Sequence, residues 1–90
     1  MQTVRVYSTG PACMRCQMTQ RALDKSGVAY QAIDLRTDQA ARAYVTDQLG
    51  HHEAPVVVVA TGRGVVHWSG FRPDRIARLA RSQGDEHEGR

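Results

Sequence analysis

The stretch "GPACMRCQMTQRAL", residues 10–23, holds Cys13 and Cys16, the two cysteines of a 90-residue chain, with only Met14 and Arg15 between them. Gly10 and Pro11 break whatever precedes them. From Cys13 to about Ser26 the residues Met14, Met18, Ala22 and Leu23 recur at helical spacing, and Gly27 stands where a helix-stopping glycine would. The spacing therefore predicts a helix with the cysteine pair at its front. Such a pair fits three chemistries: a redox-active dithiol, half of a zinc site, or a short structural disulfide.

Upstream, "TVRVY" (3–7) alternates with Val4 and Val6 on one side and predicts a short strand. Downstream, "VAYQAID" (28–34) is rich in β-formers and predicts a second strand. Thr37 and Asp38 can cap a second helix running to Leu49, with Ala41, Tyr44 and Val45 as its apolar face and Gly50 as its stop. The continuous apolar run "VVVV" (56–59) predicts a strand covered on both faces. "VVHW" (65–68) follows the turn signal "TGRG" and predicts a hairpin with that strand. Pro73 suits the first turn of a last helix, with Ile76, Leu79 and Ala80 inward and Arg75, Arg78 and Arg81 outward. Beyond residue 81 the segment "SQGDEHEGR" has no apolar residue, so the expected domain is 1–81 and 82–90 is expected to be a disordered tail.

The order βαβαββα implies a four-stranded mixed α/β sheet flanked by three helices. The first two strands should run parallel through a right-handed crossover, and the last two should form an antiparallel hairpin. The cysteines then fall at the C-terminal end of the first strand, where open α/β sheets carry their sites.

Composition narrows the function classes. With 41% hydrophobic and 23% charged residues, 90 residues make one modest core. The start "MQTVRVYSTG" does not read as a signal peptide, and no apolar run approaches a membrane span, so a cytoplasmic, soluble monomer is expected. The net charge of +3 is spread along the chain rather than clustered with aromatics, which argues against nucleic acid and suggests a mild preference for acidic protein partners.

At a helix N-terminus, unpaired N–H groups and a partial positive charge favour thiolate over thiol. Cys13, the more exposed of the two, is the expected nucleophile, and Cys16, one turn further in, the resolving thiol. Arg15 either adds a cation beside Cys13, attracting an acidic substrate, or is a plain solvent-exposed residue. A zinc site would need ligands from His51, His52, His67 or carboxylates, whose spacing does not match structural zinc sites, and no metal is expected. A structural disulfide this short removes little unfolded-state entropy. His51 and His52 read as loop residues, and Met14 and Met18 as core or rim.

A further pattern joins these. Ala54-Pro55 opens the buried third strand, a position that tolerates proline. The CxxC after the first strand, this proline and the element order together resemble the thioredoxin superfamily, specifically its short glutaredoxin-like members. The string "WSGFRP" (68–73), with "RALDKSGVAYQAIDL" and "APVVV", is similar to NrdH redoxins over nearly the whole chain except the tail. The resemblance implies a thioredoxin-like fold and a cis Ala54–Pro55 peptide against the active site, with the backbone of Ala54 pairing with substrate. It implies a dithiol-disulfide oxidoreductase with no cofactor beyond the Cys13–Cys16 disulfide, reduced by thioredoxin reductase and serving class Ib ribonucleotide reductase. Ser69, Gly70 and Phe71 would help shape the docking surface, while Trp68, Arg72 and Pro73 would hold the motif together.

The alternative is a glutathione-dependent glutaredoxin. Such proteins carry a Gly-Gly turn followed by an acidic residue, where backbone N–H groups hold the tripeptide's charged end. Here Ser69-Gly70-Phe71-Arg72 occupies that turn, with the bulk of Phe71 where glutathione needs close approach. Two features depart from the NrdH pattern. "YSTGPAC" is one residue longer before the cysteine and lacks the usual lysine, and Met14-Arg15 replaces the more usual Val-Gln. Such departures would suit a different reductase or target, or a mobile-element version of the family.

Overall fold

A computed structural model describes residues 2–88, with side chains as far as Ser82. Four strands, β1 (Thr3–Ser8), β2 (Gln31–Asp34), β3 (Val56–Thr61) and β4 (Gly64–Ser69), form one sheet in the order β2-β1-β3-β4. β1 pairs parallel with β2 and antiparallel with β3, and β3–β4 is an antiparallel hairpin whose register sets Val57 against Trp68. This is the expected thioredoxin-like arrangement. The inner position of β3 explains its unbroken valines, since Val56, Val57, Val58 and Val59 are all buried.

Helix α1 (Met14–Lys25) has Cys13 as its N-cap and ends in a Schellman motif. There the Gly27 N–H donates to the Asp24 carbonyl (3.1 Å) and the Val28 N–H to the Leu23 carbonyl (2.9 Å). Gly27, at φ 72°, is the residue that can adopt this conformation without strain. The buried stripe of α1 differs from the expected one. Cys16, Thr19 and Leu23 face the core, whereas Met14 is 71% and Met18 40% exposed. Spacing of three to four residues marks both stripes equally, and only the helix's rotation against the sheet selects one.

The second strand is shorter than expected: Val28 is buried in the connection before β2 rather than within it. The second helix also departs from a uniform α-helix. Asp38 caps α2 (Gln39–Ala43) by accepting from the Ala41 N–H at 2.9 Å, and a π-helical turn, Tyr44–Gln48, continues it. The Leu49 N–H donates to the Tyr44 carbonyl at 3.1 Å, and the His51 N–H to the Val45 carbonyl at 2.9 Å.

Helix α3 (Pro73–Glu88) places Ile76 and Leu79 in the core as expected, but Arg75 is half-buried, its guanidinium 5.5 Å from the centre of the Trp68 ring. The expectation of a tail from 82 meets helical backbone through Glu88. A lack of apolar residues removes the reason to pack, but adding a helical residue needs only its own backbone hydrogen bond, and no proline interrupts the segment. Residues 89 and 90 lie outside the described residues. Apolar clusters cover both faces of the sheet. α1 and α3 close over Val4, Val6, Val57, Val59 and Trp68, and α2 over Tyr7, Val56 and Val58.

Candidate active site

Three segments converge at the C-terminal end of β1: the loop into α1, the loop before β3, and the turn from β4 to α3. The first presents the cysteines. Thr9–Ala12 bring the chain round so that the Cys13 N–H donates to the Gly10 carbonyl at 3.2 Å. Gly10, in this loop, has φ 100°, and a Cβ there would overlap the Arg36 guanidinium. Arg36 is itself held by Asp34, donating from Nη2 at 2.8 Å. That pairing keeps the Asp34 carboxyl below the usual carboxylate range and raises Arg36.

Cys13 and Cys16 are joined as a disulfide with Cα atoms 5.2 Å apart. The Cys16 N–H donates to the Cys13 Sγ at 3.2 Å, so Cys13 sulfur takes the place of a capping oxygen at the N-terminus of α1. Cys13 is half-buried and Cys16 fully buried. Of the two sulfurs, only that of Cys13 is open to an incoming disulfide.

The second segment carries the Ala54–Pro55 peptide, which is cis as the resemblance implies, with Ala54 half-buried and Pro55 buried. The third segment locks onto it: the Gly70 N–H donates to the Pro55 carbonyl at 2.8 Å. Gly70 is buried with φ 85°, Ser69 is half-buried, and Phe71 packs partly buried against the cluster under α1 and α3. Trp68 is a core residue, and its indole N–H has no hydrogen-bond partner among the described residues. Arg72 ties turn to helix. Its carbonyl accepts from Arg75 and Ile76, and its guanidinium pairs with Asp74 at 3.1 Å, holding that carboxyl below its usual range. Pro73 opens α3.

Arg15 is neither a free cation nor an unattached surface residue. Its Nη1 donates to Glu53 Oε1 at 3.0 Å, linking the residue between the cysteines to the residue before Ala54. Glu53 escapes sequence reading, although its place next to Ala54-Pro55 is a usable signal. The histidine pair is also new. His51 Nε2 and His67 Nδ1 lie 2.8 Å apart with edge-to-face rings, fastening the loop before β3 to β4. Burial, then the nearby His67 and His52, push His51 below its ordinary value, while Glu53 opposes the shift. No local pattern could reveal a contact across sixteen residues. Among the described residues no three of His, Cys, Asp and Glu converge as a metal site would require.

A half-exposed sulfur capping a helix, a buried partner one turn on, and a cis-proline loop beside them on a four-stranded mixed sheet define a thioredoxin-fold thiol-disulfide oxidoreductase. The chain matches the glutaredoxin family over residues 4–65. It is 38% identical over 68 residues to the glutaredoxin-like protein NrdH of Escherichia coli K12, covering 74% of this chain and 76% of that one. It is 34% identical over 76 residues to the Gene 56 protein of Mycobacterium phage D29, covering 84% and 80%. Its fold superposes on that of the E. coli NrdH-redoxin with a TM-score of 0.67 at 35% identity, covering 86% of this chain and 93% of that one. That protein is described as glutaredoxin-like with a thioredoxin-like activity profile. The chain belongs to the glutaredoxin family, within its NrdH-redoxin branch.

Proposed function

We propose that this protein is a cytoplasmic dithiol electron donor, reduced by an NADPH-dependent thioredoxin reductase and serving class Ib ribonucleotide reductase. In the reduced protein, the Cys13 thiolate attacks one sulfur of a substrate disulfide. That bond breaks, a Cys13–substrate bond forms, and one substrate thiolate leaves. Cys16 then gives up its proton and attacks the Cys13 Sγ, releasing the second thiolate. Two electrons pass to the substrate, whose thiolates take up two protons, and the protein is left as the Cys13–Cys16 disulfide. Thioredoxin reductase reverses the cycle. The half-exposed Cys13 and buried Cys16 fit this order of events.

The observation that carries the choice of reductant is the Gly70 N–H, which already donates to the Pro55 carbonyl at 2.8 Å. A turn whose backbone donor is engaged internally, and whose Arg72 is paired with Asp74, offers little to the charged end of glutathione. The deciding experiment follows NADPH consumption during reduction of a protein disulfide, once with thioredoxin reductase and once with glutathione plus glutathione reductase. Turnover with thioredoxin reductase alone is the expected result. Turnover with glutathione alone would make the protein a glutathione-dependent glutaredoxin. Transfer to a class Ib ribonucleotide reductase holoenzyme, both subunits present, read as deoxyribonucleotide formed per NADPH, tests the target.

A further inference from the structure

One carboxylate stands among all three segments of the redox face. Glu53 immediately precedes Ala54-Pro55, its Oε1 accepts from Arg15 Nη1 at 3.0 Å, and the same oxygen lies 3.9 Å from where a Cβ on Gly70 would stand. Arg15 and Glu53 are 56% and 57% exposed, so the pair lies on the surface that an incoming substrate meets rather than beneath it. Arg15 stands two residues from Cys13, and any disulfide whose sulfur reaches Cys13 brings its flanking residues close to both charges.

Without Glu53 this face would carry uncompensated positive charge. The N-terminus of α1 carries a partial positive charge, its first turn holds no acidic residue, and Arg15 would add a full one. A charged rim acts mainly on encounter and on the choice among partners, through potentials complementary to the ligand. We infer that Glu53 sets the charge selectivity of the redox face: as the internal counter-ion of Arg15, it suppresses a preference for acidic substrates that the cysteine-bearing loop would otherwise have. Glu53 is thus a specificity-determining residue. The inference rests on the thiol-disulfide reading above, but not on which reductase or target is served.

The test uses pre-reduced full-length protein in single turnovers, so that no reductase enters. Three disulfide-bonded peptides differ only in the residues flanking the cystine, which are Glu, Ser or Lys. Acid quenching and mass spectrometry give the rate for each, and the Glu-to-Lys rate ratio is the readout. Changes in Cys13 reactivity common to all substrates cancel in that ratio.

The parent should treat the Glu and Lys peptides alike within about twofold, while Glu53→Gln should raise the ratio about two- to fivefold, the range of an exposed ion pair. Arg15→Gln should lower it by a similar factor. Arg15→Gln/Glu53→Gln and the swapped pair Arg15→Glu/Glu53→Arg should both return it to the parent value. The differences should shrink in high salt, because exposed charges are screened. A ratio unmoved by Glu53→Gln, or moved in the same direction by both single variants, would overturn the inference while leaving the redox reading intact. A parent inert toward the Ser peptide would overturn both.

Discussion

On one face of the sheet α1 and α3 close over Val4, Val6, Val57, Val59 and Trp68, with Leu23, Ile76 and Leu79 fully inside. On the other, α2 and its π-helical turn cover Tyr7, Val56 and Val58, and beside them lies an open cleft of about 470 Å³ bordered by Arg36, Arg42, His51 and Ala54. Both faces reach the redox end, but they deliver different things. The thicker apolar face delivers the reacting sulfurs and the turn that braces Pro55. The thinner one delivers the loop that carries Ala54 and Pro55, fastened by polar contacts: His51 to His67 and, at the rim, Glu53 to Arg15. The difference teaches that apolar packing is concentrated behind the nucleophile, whereas the loop before Pro55 is held by interactions sensitive to charge and pH.

The contrast is broken most completely at the sulfurs. Cys13→Ser should abolish disulfide reduction altogether. Cys16→Ser should still attack once and then stop, leaving a mixed disulfide at one equivalent of substrate per protein, detectable by mass spectrometry. Continued turnover by either variant would contradict the assigned roles.

Denaturant unfolding of core variants measures the two faces directly. Leu23→Ala should cost about 2–5 kcal/mol, the range for removing a fully buried leucine. Val45→Ala, under the thinner face, should cost roughly 2 kcal/mol, since two methylene equivalents are lost beside a small cavity term. Equal losses per carbon removed, three for leucine and two for valine, would mean that the second face is as well packed as the first.

Gly10→Ala sharpens the comparison at the loop before Cys13. A side chain at φ 100° that also meets Arg36 should lower stability by about 1–2 kcal/mol. Adding Arg36→Ala should recover the part due to the clash but not the part due to the backbone. Full recovery in the double variant would show that the backbone conformation carries no penalty.

The smallest effect concerns pH. His51 has a lowered proton affinity when folded, so below about pH 6.5 the unfolded chain binds a proton that the folded chain does not. This contribution to stability is complete above that value and is lost as the pH falls through it. His51→Gln should therefore flatten the melting temperature between pH 7 and 5. Identical pH profiles for parent and variant would remove the histidine pair from the account.

Much of this was legible locally. The front of α1, its Gly27 stop, the Asp38 cap, the doubly covered β3, the hairpin and the Pro73 start all follow from periodicity and turn chemistry within a few residues. Cys13, Cys16 and Pro55 were legible because their chemistry and spacing are distinctive. The buried stripe of α1, the π-helical turn, the Arg15–Glu53 pair and the His51–His67 contact were not. Each depends on which parts of the chain meet after folding.

Sequence alone thus determined the element order and the thiol-disulfide chemistry of the site, because these rest on neighbours in the chain. Tertiary structure alone decided how α1 is turned against the sheet, so that Cys16 is buried and Met14 exposed, and which charge stands opposite Arg15. Burial and ion pairing depend on distances between segments that periodicity does not encode. They were settled only when β3 packed beside β1 and set Glu53, Pro55 and Gly70 around the cysteines.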